Sequence, residues 1–184
     1  MKRLLTLALS LTATMAPLLA GPDMSGARRG STPYDRYMHP VHTVLRQLNG
    51  SKPSFQKVAA LTRQGYSFKY SFDTPYIAPM PNVTEAKRQG DCKAKSLWLA
   101  ARMNDPSVKY VIGKARRTSK ISHAWLMWKY NDRWWILDPT NNPDPIPADR
   151  VGPDEYLLTY SYDKSGSYRH RQSFSRRSVA GSRN

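Results

Sequence analysis

The chain has 184 residues, with 29 Lys or Arg against 13 Asp or Glu, a formal charge of +16, and a single cysteine. One cysteine closes no intramolecular disulfide, which excludes a disulfide-stapled scaffold, so stability must come from burial, for which five Trp, eleven Tyr and four Phe suffice. So large a basic excess draws the protein toward polyanions such as cell-wall polymers, acidic lipids or nucleic acid, without naming a function.

Residues 1–20, MKRLLTLALSLTATMAPLLA, set Lys2 and Arg3 ahead of an apolar run and end on small residues, the layout of a secretory signal peptide. Thr12, Thr14 and Pro17 interrupt the run, which falls short of the roughly 20 apolar residues of a membrane span. No other stretch is apolar enough to cross a bilayer. The expectation is an exported product, periplasmic or secreted and without a membrane span; a retained signal anchor is the alternative. Loss of Lys2 and Arg3 leaves the remainder strongly basic and long enough for one domain.

Residues 21–39 show neither helical nor strand periodicity and read as a flexible lead-in. From Pro40, Val41, Val44, Leu45 and Leu48 share one helical face that stops at Asn49-Gly50. A second helix spans SFQKVAALTRQG, with Phe55, Val58 and Ala59 inward. YSFKYSF alternates Tyr66, Phe68, Tyr70 and Phe72 with polar residues and predicts a half-buried strand whose aromatics enter the core rather than form a ligand platform. Three prolines make DTPYIAPMPN an extended loop, and NVTEAKRQG adds a helical turn. DCKAKSLWLAARM predicts a helix ended by Asn104-Asp105-Pro106.

Strands follow in VKYVIGKARR, ISHAWLMWKY and RWWILD, the last two joined by a hairpin turn at Asn131-Asp132. NNPDPIPADRVGPD is an irregular loop, and EYLLTYSYD a last strand with Tyr156, Leu158, Tyr160 and Tyr162 inward. Residues 164–184 carry six Lys or Arg and no acid, and read as a disordered basic tail suited to a polyanionic cell-envelope surface, with no specific nucleic-acid target. Helices first and an antiparallel sheet afterward indicate a single α+β domain over residues 40–163.

Cys92 follows Gly90-Asp91 at the start of its helix, where unpaired N–H groups and the dipole favour a thiolate. Lys93 and Lys95 add positive charge, and Gly90 clears a side chain where a substrate carbonyl would approach. A buried inert thiol is the competing reading. Of the four histidines, His123 lies inside a predicted core strand, where a polar ring needs a partner. With a two-residue hairpin, Tyr130 pairs with Arg133 and Asp138 becomes the diagonal neighbour of His123; a three-residue loop would put the two on opposite faces. Pro139 holds Asp138 extended.

These blocks, G-D-C at a helix start, H-A-W on a strand and L-D-P-T on the next, resemble the transglutaminase-like superfamily of papain-like enzymes, which includes bacterial cysteine peptidases. The resemblance spans residues 84–140 and implies a papain-like core with the nucleophile helix packed on an antiparallel sheet. It implies Cys92 as nucleophile, His123 as general base and acid, and Asp138 as the orienting carboxylate. Many relatives carry acidic residues after the cysteine, where this chain has Lys93 and Lys95. One oxyanion donor is expected from the Cys92 N–H, and a second from Gln89 or Tyr76.

The implied reaction is thiol acyl transfer on a protein or peptide substrate, ending in hydrolysis by a peptidase or amidase, or in amine transfer by a crosslinking transglutaminase. A noncatalytic cell-envelope binding protein on the same fold is the third reading. No cofactor and no metal are expected: His39 and His42 lack further ligands, and Asp144, Asp149, Asp154 and Glu155 match no calcium loop.

Overall fold

Local sequence signals place four helices. The computed structural model describes residues 21–171 apart from Asp73 and Pro75, so the expected signal peptide and most of the expected basic tail lie outside the described residues. Helix α1 (His39–Gln47) takes Pro40 in its first turn, where a missing N–H costs no helical hydrogen bond. Helix α2 (Phe55–Tyr66) is capped by Ser54, whose hydroxyl accepts the Lys57 N–H at 3.3 Å. Helix α3 (Pro81–Lys87) ends on Arg88 in the left-handed region, and α4 (Cys92–Met103) runs from the Asp91 cap to Asn104, also left-handed.

Among the described residues seven strands form one sheet: β1 (Arg28–Arg29), β2 (Lys109–Arg116), β3 (His123–Tyr130), β4 (Arg133–Leu137), β5 (Ile146–Pro147), β6 (Glu155–Asp163) and β7 (Gly166–Arg169). Their order is β1-β7-β6-β2-β3-β4-β5, every pairing antiparallel. The period of two along β2 and β3 splits the core. Tyr110, Ile112, Leu126 and Trp128 face the helices, while Val111, Trp125, Met127 and Ile136 build a second cluster on the opposite face. Helix α4 is buried on almost every side, and its Ser96 hydroxyl donates to the Ala124 carbonyl at 3.1 Å. That bond ties the first turns of α4 to the start of β3. The chain is thus an α+β protein with the cysteine helix on an antiparallel sheet.

Several expectations need correction. The lead-in over residues 21–39 carries structure: β1 pairs with β7, and Thr32 links Asp35 to the buried hydroxyl of Tyr162. Short-range periodicity misses this because two residues of strand are too few to alternate. The expected tail likewise starts late, since Gly166–Arg169 is a strand and the His170 N–H donates to the Thr159 carbonyl at 2.9 Å. YSFKYSF forms no strand. Its main chain meets residues 88–90 in an isolated bridge, Lys69 to Gln89, and the Phe68 carbonyl is taken by the Lys95 ammonium at 2.6 Å. Only Phe68 enters the core; Tyr66, Tyr70 and Phe72 are exposed.

Strand β6 also departs from simple alternation. Ile112 pairs with Tyr160 and Gly113 with Leu158, so Thr159 is an extra residue in a bulge. The bulge sends Tyr156 and Leu158 to the far cluster while Tyr162 stays on the helix face.

The Asn131-Asp132 turn has both residues left-handed, φ 48° and 56°, the geometry of a type I′ hairpin, and Tyr130 pairs with Arg133. Asp132→Val should therefore lower unfolding stability by about 1–2 kcal/mol, because a β-branched residue resists positive φ, while Asp132→Gly should not. Denaturant unfolding checks this; equal loss in both variants would contradict the turn geometry.

Candidate active site

The three residues that the sequence sets apart meet at one end of the sheet. Asp91 caps α4 by accepting the Lys93 and Ala94 N–H groups at 3.0 and 3.2 Å, which leaves Cys92 as the first helical residue. The thiol is half-buried and free of any disulfide. His123 opens β3, stacked on Trp125 with ring centroids 5.9 Å apart. Its Nε2 lies 2.8 Å from Asp138 Oδ2, and the Cys92 sulfur is near enough to the ring to favour its charged form. With Nε2 given to the carboxylate, Nδ1 is the nitrogen left for sulfur.

Asp138 is fully buried and collects donors. Oδ1 accepts the N–H groups of Thr140 and Asn141 at 3.1 and 3.3 Å; Oδ2 accepts, besides His123, the Asn141 amide at 2.9 Å and the Tyr156 hydroxyl at 3.0 Å. Asn141 Nδ2 also sits 3.0 Å from His123 Nε2. Both are donors when Nε2 carries the proton, so the amide serves Asp138 and only abuts the ring. Burial alone would raise the Asp138 pKa, but the bond and charge of His123, then Asn141 and Thr140, hold it below the carboxylate range. Burial likewise opposes a charged His123, yet the Asp138 bond and the nearby Cys92 sulfur prevail and raise it from 6.5 to about 10.

Tyr156 and Asn141 escape sequence reading. Tyr156 reads as one more aromatic of an alternating strand, but its backbone has φ 49°, and its hydroxyl accepts from the Asn142 amide at 2.6 Å while donating to Asp138. Burial first, then the Asp138 charge, push its pKa well above the phenolic range, which keeps it a donor. The one signal available was Asn141-Asn142 directly after L-D-P-T. Gly65 contributes from α2: a Cβ there would lie 2.9 Å from Pro139 Cβ and 3.0 Å from Trp98, so only glycine lets α2 approach the residue after Asp138.

Beside Cys92 lies a cleft of about 700 Å³. Tyr34, Tyr70, Phe72 and Tyr76 line it, contrary to the expectation that the 66–72 aromatics are core. Tyr76 stands at the cleft. Its buried hydroxyl makes no hydrogen bond of ordinary geometry, although Ser122 is near enough to favour its anion slightly; burial, then the Cys92 charge, hold its pKa well above the phenolic range. Gln89 does not line the cleft; it lies opposite Lys69 in an isolated bridge whose hydrogen bonds run through Arg88 and Gly90. Gly90 serves packing rather than substrate approach, because a Cβ there would meet Ala94 Cβ at 2.6 Å. The lysines after Cys92 are buried and committed: Lys93 pairs with Asp91, and Lys95 holds the Phe68 carbonyl. Desolvation lowers the pKa of Lys95, partly offset by Asp138.

The pattern of the transglutaminase-like superfamily matches residues 42–139, just over half of the chain. The chain belongs to this superfamily. Its fold agrees: Legionella pneumophila LapG in calcium-bound form superposes with a TM-score of 0.53 at 18% identity, over 72% of this chain and 79% of LapG. A second LapG structure gives 0.51 at 17% identity, over 69% and 74%. No curated protein matches the chain in sequence. Among the described residues no group of three or more His, Cys, Asp or Glu is placed to hold a metal ion. Asp144, Asp149 and Asp154 pair instead with Arg63, Arg133 and Arg117, and Glu155 accepts the Gly152 N–H. The superfamily pattern ends at Pro139 and so omits Asn141 and Tyr156, both bonded to Asp138.

His123 should stay protonated through neutral pH and titrate near 10 by imidazole NMR, and Asp138→Asn should bring that midpoint down by about 1–3 pH units. Because the folded value lies above 6.5, the stability this pair contributes is whole below about pH 6.5 and is lost as pH rises through about 10. An ordinary midpoint near 6.5, unmoved by Asp138→Asn, would contradict the site.

Proposed function

We propose that the protein is an exported thiol hydrolase, a cysteine peptidase or amidase that acts through a thioester acyl-enzyme. The observation that carries this reading is His123 held between Cys92 at a helix N-terminus and the buried carboxylate of Asp138. A nucleophile, a base within hydrogen-bond reach and an orienting group behind it are the working parts of nucleophilic acyl transfer. Export rests on the signal-like layout of residues 1–20. Among the described residues, no helix is long and apolar enough to cross a membrane.

In this mechanism His123, already protonated at neutral pH, holds the proton that Cys92 has given up, and the sulfur attacks an amide carbonyl. The C=O electron pair moves onto oxygen, where the first N–H of α4, which has no intrahelical partner, and the Tyr76 hydroxyl donate to it. Collapse breaks the C–N bond as His123 returns the proton to the departing amine, leaving a thioester. Water, deprotonated by the now neutral ring, then releases the acid and restores the starting Cys92–His123 pair. Asp138 stays ionised throughout and stabilises the imidazolium. The cleft is open to solvent, which admits water to the thioester and favours hydrolysis over amine transfer.

Incubation with a mixed peptide library, read by mass spectrometry with and without a primary amine, tests the reading. Wild type should give cleaved peptides and a trapped acyl mass on Cys92. Cys92→Ala should give neither, and His123→Ala should lower turnover by about 10²–10⁴-fold. Amine adducts without cleavage would show a transglutaminase instead, and turnover surviving Cys92→Ala would sink the mechanism.

A further inference from the structure

The lining of the cleft beside Cys92 carries information that the Cys-His-Asp geometry does not use. Among the described residues the three most exposed large hydrophobics are Ile121 at 75%, Phe72 at 67% and Tyr70 at 51%, and all three line this cleft. Singly exposed apolar side chains need no explanation, but three gathered at one mouth form a patch that rewards an apolar ligand. Tyr34 and Tyr76 also line it, with ring centroids 4.9 Å apart.

The charges there are equally unbalanced. Four ionised side chains line the cleft, Asp91, Lys93, Lys114 and Lys120. Asp91 and Lys93 neutralise each other. Lys114 follows Gly113 in β2, Lys120 precedes Ile121-Ser122-His123, and neither has a carboxylate partner among the described residues. Among the described residues the cleft therefore presents two ammonium groups without a carboxylate partner, together with several aromatic side chains.

We propose that this cleft selects acidic peptides, seating an apolar or aromatic side chain between Ile121 and the Tyr70–Phe72 wall and receiving a neighbouring Asp or Glu carboxylate on Lys114 and Lys120. The proposal deepens the hydrolase reading and rests on it for the bond that is cut. Binding itself does not need the thiol, so specificity and catalysis separate. A free peptide C-terminus offers the same anion, and the test distinguishes it from an acidic side chain.

Three labelled peptides of one apolar sequence serve: an internal Glu with an amidated C-terminus, Gln in its place with the same amide, and the Gln peptide with a free carboxylate. Fluorescence anisotropy on Cys92→Ala protein reads affinity, and mass spectrometry reads turnover by wild type. Two surface-type ion pairs predict that the Glu peptide binds about 10-fold tighter than the amidated Gln peptide at low salt. The ratio should shrink as salt shortens the screening length. On the Cys92→Ala background, Lys114→Gln with Lys120→Gln should bring the ratio near one, and Lys114→Arg with Lys120→Arg should keep it. Lys52→Gln with Lys57→Gln removes equal charge from exposed positions outside the cleft and should also keep it. Equal affinities in the parent, or a preference surviving the double Gln variant, would overturn the proposal. So would a gain confined to the free C-terminus. The salt series on unmutated lysines decides even if a variant misfolds. Glu-selective binding without any wild-type turnover would sink the hydrolase reading and leave the preference standing, whereas equal turnover of Glu and Gln peptides would do the reverse.

Discussion

A carboxylate with no solvent access is the constraint around which the site is built. Asp138 can remain ionised in the protein interior only if its oxygens are filled, and the fold supplies five donors: the His123 ring, the Asn141 amide, the Tyr156 hydroxyl and two main-chain N–H groups. Each comes from a different requirement on the chain. The two-residue turn at Asn131-Asp132 sets the register that carries Asp138 toward His123. The bend after Pro139 folds two N–H groups back onto Oδ1. The bulge at Thr159 puts Tyr156 on the Asp138 side of the sheet while its neighbour Tyr160 lines the cleft. What is held by those donors is in turn able to hold the imidazole against the thiol.

The nucleophile is fixed by a second, shorter chain of contacts. Asp91 caps the helix, pairs with Lys93 and so places Cys92 at the first helical position, while Ser96 bonds the main chain of Ala124 next to His123. The distance between thiol and base is therefore set by helix-to-strand bonding within one turn of the cysteine. Lys93 and Lys95, which stand where many relatives carry acids, do not charge the substrate cleft: one is neutralised by the helix cap and the other is turned to the Phe68 carbonyl. The positive charge that reaches the cleft comes instead from Lys114 and Lys120, on elements remote in sequence from the cysteine.

How much of this was legible in the sequence depended on the range of the cause. The four helices, the central hairpin and its register follow from local periodicity and turn chemistry, and with them the pairing of His123 and Asp138. Tyr156 was not legible, because its role needs a bulge set by pairing with β2, over forty residues away. The 66–72 aromatics misled for a related reason: alternation is a strand signal only when another strand is there to pair, and the neighbouring segment 88–90 offers one bridge. Of the two expected oxyanion donors, Tyr76 lines the cleft and Gln89 does not. The two-residue β1 pairs with Tyr168 and Arg169 at the end of β7, and Thr32 just beyond β1 bonds Tyr162, contacts that no local pattern announces.

The account turns on whether the buried carboxylate governs the thiol through the imidazole. The most direct measurement is the second-order rate of Cys92 alkylation by a small neutral amide reagent at neutral pH, wild type against Asp138→Asn, with unfolding midpoints taken on the same samples. The account predicts a fall of about 10-fold or more in a variant that remains folded, because the imidazolium loses its charged partner. An unchanged rate in a folded Asp138→Asn protein would show that the carboxylate only fills space, and would contradict it.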